Sequence, residues 1–143
     1  MARCPTPTFN LRQAQLSDVP DMEHFIRPFV ESGHLLPNTS AELNELTEHA
    51  FLAFQQDTLI GCAALQVYSN KLAEIRSLAI APTVQKHGIG KRLVEACVQR
   101  ALELQVLEVM AITSAESFFH SCGFDFTLPG EKKALFLNPR PGP

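Results

Sequence analysis

The chain of 143 residues is short of several things that large classes of protein depend on. It has a single tyrosine, Tyr68, against ten phenylalanines, so phenolic proton donors are scarce. Its four cysteines, Cys4, Cys62, Cys97 and Cys122, form no CxxC pair and no metal-ligand spacing, and no metal site is expected. No apolar run approaches the roughly 18 residues of a membrane-spanning helix, and residues 1–10 hold no apolar signal core. There is no basic excess. The net charge of −3 argues against a nucleic-acid surface, which needs clustered Lys and Arg. Neither the Rossmann G-x-G-x-x-G nor the Walker G-x-x-x-x-G-K-[ST] pattern occurs.

What remains is a composition of 45% hydrophobic and 19% charged residues, that of one soluble globular domain. A chain of this length buries roughly 70% of its unfolded surface on folding, so it needs no external staples. The expected organisation is a frayed tail over 1–8, a domain over 9–138 and a mobile proline-rich tail over 139–143. Cys62 in a strand and Cys97 on an apolar helix face read as buried reduced thiols, which suits a cytoplasmic setting.

Residues 73–104 organise the chain. An apolar β-prone run ends at Pro82, a loop carrying Gln85, Lys86, His87, Gly88, Ile89 and Gly90 follows, and a long helical pattern begins. Ile89, Leu93, Ala96, Cys97, Ala101 and Leu104 recur at intervals of three or four, while Lys91, Arg92, Glu95, Gln99 and Arg100 lie mostly opposite. Gly88 and Gly90 remove side chains where unpaired helix N–H groups point outward at the positive end of the dipole. Phosphate suits such a place. A turn needing positive φ would explain the glycines equally well.

The two halves Leu78-Ala79-Ile80-Ala81-Pro82 and Gln85-Lys86-His87-Gly88-Ile89-Gly90 resemble the strand L-A-[IV]-x-P and the pyrophosphate loop [QR]-x-x-G-x-[GA] of the GNAT N-acetyltransferases. The resemblance runs from about Asn10 to at least Phe126. It implies an α/β (α+β) GNAT fold: a mixed sheet of six to seven strands, about four helices, and parallel fourth and fifth strands that split apart. It also implies acetyl-coenzyme A as co-substrate, its pyrophosphate on the loop through Lys91 and its pantetheine arm along Leu78, Ala79 and Ile80, with Phe118 and Phe119 beside it.

Taken in order, residues 9–13 read as a first strand. Ser17 or Asp18 caps a helix with Pro20 in its first turn, which Pro28 should kink or end. Thr39-Ser40-Ala41-Glu42 is a capping box opening a second helix through about His49. Strands over 50–54 and 59–68 form a hairpin around Gln56-Asp57, and a third antiparallel strand covers 73–80. After the long helix come a strand over 107–112, parallel to the previous one, and a short helix over 115–122 ending at Gly123. Residues 124–126 and 133–137 read as two last strands.

Acetyl transfer to an amine needs a group to take the amine proton and a group to stabilise or protonate the leaving thiolate. Glu74 is the base candidate, a carboxylate among the apolar residues of the central strand. An ion pair with Arg76, two residues on and on the same strand face, is the competing reading. Many GNAT enzymes place a donor tyrosine where this chain has Phe119. The donor is then sought in Ser114 first, with Thr113 beside it on the substrate side, although helix capping explains both as well. His87 and His120 read as surface residues of their loop and helix rather than as catalysts.

On the acceptor side, Ile26-Arg27-Pro28-Phe29 with Gly33-His34-Leu35-Leu36-Pro37 resembles the acetyltransferase domain of bacterial N-acetylglutamate synthases. So do residues 61–65, 73–80 and 128–136. By that resemblance Arg27 holds a carboxylate of glutamate, the backbone at Ser77 takes part, and Glu74 acts on the amine; an Arg fork suits a carboxylate. Ser77 stands where that subgroup often has Cys, and the amino-acid-kinase-like domain of the long synthases, with its arginine feedback, is not expected. Lys132 or Arg140 would have to supply that subgroup's second arginine. Residues 113–124 also resemble small GNAT proteins linked to arsenic resistance.

The leading expectation is an acetyl-CoA-dependent N-acetyltransferase of a small amino-acid-like amine, with no nucleic acid or membrane partner and a homodimer as the assembly to test. The alternatives are a non-catalytic acyl-CoA-binding domain and an acetyltransferase of protein lysines or N-termini, the last disfavoured by the lack of an evident acidic groove.

Overall fold

The computed structural model describes residues 8–113, 115–126 and 135–139. Its elements are β1 (Asn10–Gln13), α1 (Val19–Glu31), α2 (Ser40–Leu46), β2 (Ala50–Gln55), β3 (Thr58–Val67), β4 (Leu72–Ile80), α3 (Ile89–Glu103), β5 (Glu108–Met110) and α4 (Glu116–Ser121). Short 3-10 turns precede α1, follow α2 and follow β4. The strands form one sheet in the order β1-β2-β3-β4-β5, antiparallel except for the parallel β4–β5 pair.

Local chemistry accounts for most boundaries. The β2–β3 hairpin closes on Gln56 and Asp57, with Gln56 at φ 55°. The Thr39–Glu42 capping box forms: Thr39 Oγ1 accepts from the Glu42 amide at 3.1 Å and Glu42 Oε1 accepts from the Thr39 amide at 3.4 Å. Asp18 occupies the cap position of α1 but turns its carboxylate to Arg12, at 2.8 Å through both oxygens, and to the Gln15 amide. Pro28 does not end α1. The helix carries it for one more turn, because the amides of Ser32, Gly33 and His34 still find the carbonyls of Pro28, Val30 and Phe29.

Two apolar clusters sandwich the sheet. One is built from α3, α4 and the sheet face carrying Ala53, Ala63, Leu65, Ala73 and Ile75, with Leu93 and Cys97 fully buried in it. The other joins α1 and α2 to Leu52, Cys62, Ala64 and Ala79. Truncating a side chain as enclosed as Leu93 to alanine costs about 2–5 kcal/mol.

The expectation of six to seven strands is corrected to five among the described residues. Residues 124–126 are not a strand, because their backbone groups are already engaged: the Phe124 amide caps α4 at Phe119 O, Phe124 O faces His120 Nδ1, and the Phe126 amide bonds Asp125 Oδ1. Leu135, Phe136 and Leu137 stand exposed and outside the sheet, while Lys133 and Ala134 lie outside the described residues. The strand expected over 107–112 is only Glu108–Met110, and the second helix stops at Leu46 before a 3-10 turn.

Candidate active site

The loop between β4 and α3 is held open by its backbone. Lys86 sits at φ 70° and Gly88, the N-cap of α3, at φ 81°, a conformation that glycine adopts without the Cβ clash of other residues. No side chain among the described residues caps this helix end, so the first-turn amides face outward with the positive end of the dipole. Gln85 ties the loop back to the strand, donating through Nε2 to Ile80 O at 3.3 Å. Gly90 sits in close contact: a Cβ there would lie 3.2 Å from the Phe118 ring of α4, which would have to give way. Ile89 is buried, whereas Lys86, His87 and Lys91 are exposed around the loop.

β4 breaks its own alternation beside this loop. Ala64 pairs with Arg76 and Cys62 with Ala79, so the single residue Ala63 opposes both Ser77 and Leu78. The extra residue forms a bulge with Ser77 at φ 55°, an uncommon conformation for a non-glycine residue that packing must hold. Ala73 and Ile75 face the α3 cluster before the bulge, and Leu78 and Ile80 face it afterwards. Ala79 turns to the α1 and α2 side. Pairing with β5 ends at Glu74 opposite Met110, so beyond Glu74 the β4 edge has no strand partner among the described residues. That free edge runs straight to the uncapped start of α3.

On the α1 and α2 side the bulge is framed by polar side chains. Glu74, half-buried, accepts from the Tyr68 hydroxyl at 2.5 Å. Arg76 donates to Gln66 Oε1 at 2.5 Å and to Asn38 Oδ1 at 3.2 Å. Asn38 in turn donates to Ser77 Oγ at 3.2 Å, and Cys62 Sγ donates to Ser77 O at 3.2 Å. The Glu74–Arg76 ion pair raised by the sequence does not form, because Arg76 is engaged by Gln66 and Asn38. Burial, and then the Glu74 contact, hold the Tyr68 phenol above its ordinary range, keeping it a donor. Desolvation pushes the thiols of Cys62 and Cys97 up to about 12.

A groove of about 330 Å³ opens between α1 and the loop before α2, lined by Glu23, Ile26, Arg27, Val30 and Asn38 among others. Arg27 is exposed on this groove and has no hydrogen-bond or ion-pair partner among the described residues. A cleft of about 210 Å³ on the other side of α2 is lined by Glu42, Glu45, Glu48, Gln66 and Arg76. No acidic groove is evident in the sequence, yet the fold assembles one.

Glu74 and Ser77 lie on β4, Asn38 links Ser77 to the loop that lines the Arg27 groove, and Leu78, Ala79 and Ile80 lead on towards the loop 85–91; Glu74 and Ser77 are not among that groove's lining residues. Thr113 is exposed and its Oγ1 accepts from the Ala115 amide at 2.9 Å, a local turn bond; Ser114 lies outside the described residues. Phe119 is buried in the core with its ring edge-on to Phe118 and Phe124, leaving Phe118 as the ring beside the loop. Tyr68, Gln66 and Asn38 escaped the sequence reading. For the first two a signal existed: pairing Gln66 with Glu74 places Tyr68 on the same sheet face by strict alternation.

An uncapped helix start beside a strand edge unpaired among the described residues suits an extended ligand with a phosphate at one end, on an α/β domain. A sequence profile described as Acetyltransferase (GNAT) family matches residues 15–124, and the chain belongs to that family. It is 32% identical over 117 residues to an amino-acid acetyltransferase of Mycobacterium tuberculosis, covering 80% of this chain and 67% of that protein. It is 32% identical over 118 residues to the amino-acid acetyltransferase of Neisseria meningitidis, of which it spans 27%. Among solved structures it resembles a Mycobacterium tuberculosis protein in complex with CoA, with TM-score 0.73, 31% identity, and 83% and 73% of the two chains covered. It also resembles N-acetylglutamate synthase of Neisseria gonorrhoeae complexed with coenzyme A and N-acetyl-glutamate, with TM-score 0.77, 28% identity, and 87% and 30% covered. The protein is an N-acetyltransferase of the acyltransferase class with acetyl-CoA as co-substrate. No helix among the described residues is long and apolar enough to cross a membrane.

Proposed function

We propose that this enzyme acetylates the amino group of a small amino acid, with L-glutamate the first acceptor to test. The observation that carries the reading is the arrangement around the β4 bulge. A strand edge unpaired among the described residues leads from the amides at the start of α3 to Glu74, and the groove lined by Asn38 and by Arg27, unpartnered among the described residues, is tied to the bulge through the Asn38–Ser77 hydrogen bond.

The amides of Ile89, Gly90 and Lys91 would hold the pyrophosphate, with Lys86 and Lys91 adding charge. Leu78, Ala79 and Ile80 would hold the pantetheine arm by their backbone, and Phe118 would pack beside it. Bound acetyl-CoA supplies the activated thioester. Arg27 would hold the acceptor carboxylate and Glu74 would take the proton from its ammonium, leaving a neutral amine to attack. With Phe119 at the core position, the leaving thiolate relies on a hydroxyl from Thr113 or Ser114, on water, or on nearby amides.

Thiol release from acetyl-CoA, followed with a panel of amino acids and with product masses, tests the reading. Release should rise with the accepted amino acid, and Glu74→Gln should lower kcat about 10²-fold or more while sparing coenzyme A binding. Release that no amine increases would leave a binding domain without turnover.

The acidic cleft at Glu42, Glu45 and Glu48 favours one second reading, a peptide lysine or N-terminus as acceptor. Acetylation of a basic peptide but of no free amino acid would select it.

A further inference from the structure

We propose that Tyr68 is a positioning residue for the reaction, fixing one carboxylate oxygen of Glu74 so that the other is presented to the acceptor amine. This rests on the reading of Glu74 as the base.

A glutamate on a strand carries its carboxylate on three rotatable bonds, and an unanchored carboxylate spends little time aligned for proton transfer. Tyr68 removes that freedom. Its hydroxyl lies 2.5 Å from Glu74 Oε1 and 3.3 Å from Gln66 Oε1, and its one proton goes to the nearer, charged acceptor. Gln66 is itself engaged by Arg76, so the polar face behind the phenol is already satisfied.

The phenol is anchored from below. The Tyr68 and Ser69 amides both bond Leu72 O, closing the β3–β4 turn, and the Lys71 amide bonds Ser69 Oγ. The same turn is pinned to β5, where the Leu107 and Glu108 amides bond Asn70 O and Lys71 O. A rigid hairpin end therefore points a rigid side chain at a flexible carboxylate, at the place where β4 and β5 separate. Tyr68 is 49% exposed and belongs to neither core cluster.

The test compares Tyr68→Phe, Glu74→Gln and the double variant. Phenylalanine keeps the ring and removes only the hydroxyl. Tyr68→Phe should lower kcat about tenfold, with the KM for acetyl-CoA and for the acceptor unchanged and thermal unfolding unaltered. In the Glu74→Gln background the same change should have no further effect, because the group it positions is gone. The inference is overturned if Tyr68→Phe turns over like the parent, if its loss is undiminished in the Glu74→Gln background, or if it raises KM alone. A fully active Glu74→Gln variant would overturn the base assignment and this inference together, whereas an impaired Glu74→Gln with an unaffected Tyr68→Phe removes only the role of Tyr68.

Discussion

Asn38 and Ser77 are 39 residues apart in the chain and 3.2 Å apart in the fold, with the Asn38 amide donating to the serine hydroxyl. The other end of the Asn38 amide accepts from Arg76. One short side chain thus clamps the loop that borders the Arg27 groove onto the bulge of β4, where the backbone is in a sparsely populated conformation.

Asn38→Ala should therefore loosen the groove rather than the cofactor loop. The expected result is a rise of about tenfold in acceptor KM with little change in the KM for acetyl-CoA. Two lost hydrogen bonds should also cost about 1–2 kcal/mol of stability. Steady-state kinetics and denaturant unfolding check both parts.

Gly88→Ala puts a Cβ on a residue at φ 81°, a conformation that costs about 1–2 kcal/mol for an L-residue. The loop should either shift or strain, and coenzyme A affinity should fall about tenfold with a lower Tm. Calorimetric titration of coenzyme A is the measurement; unaltered affinity would remove this loop from cofactor binding.

The Arg12–Asp18 pair gives a pH signature. The Arg12 hydrogen bonds hold the Asp18 carboxyl below its ordinary range, against an opposing effect of burial. A folded value lower than the unfolded one, about 3.9, means the contribution is fully present above that value. It is lost as pH falls through the folded value. Asp18→Asn should be less stable than the parent at pH 7, and the gap between their Tm values should close below about pH 4. Thermal unfolding of the two across pH 2 to 7 decides it.

Cys62 and Cys97 should resist thiol reagents in the native state, because buried thiols held near 12 carry almost no thiolate at pH 8. Alkylation followed by peptide mass mapping should leave both unmodified until denaturant is added. Rapid native labelling of Cys97 would mean that the core around α3 opens readily, and of Cys62 that the cluster under α1 and α2 does.

The strand, glycine loop and helix around residues 73–104 were legible because each requirement is local. A period of 3.6, a proline after an apolar run and glycines at a helix start are all written in adjacent residues. The capping box of α2 was legible for the same reason. The Glu74–Arg76 pairing failed as a reading because both residues found better partners on other elements. The strand expected over 124–126 failed because capping α4 used the backbone of Phe124 that a ladder would have needed.

By itself, the order of amino acids carried the family resemblance in the motifs of residues 78–90, and it determined the glycine loop and the course of most elements, since these last depend on backbone needs and periodicity within short windows. Only the tertiary structure decided that Tyr68 meets Glu74, that Asn38 meets Ser77, and that a bulge turns Ala79 away from the face Ile75 occupies. Those contacts depend on strand register and on the closeness of distant segments, which no short window of sequence encodes.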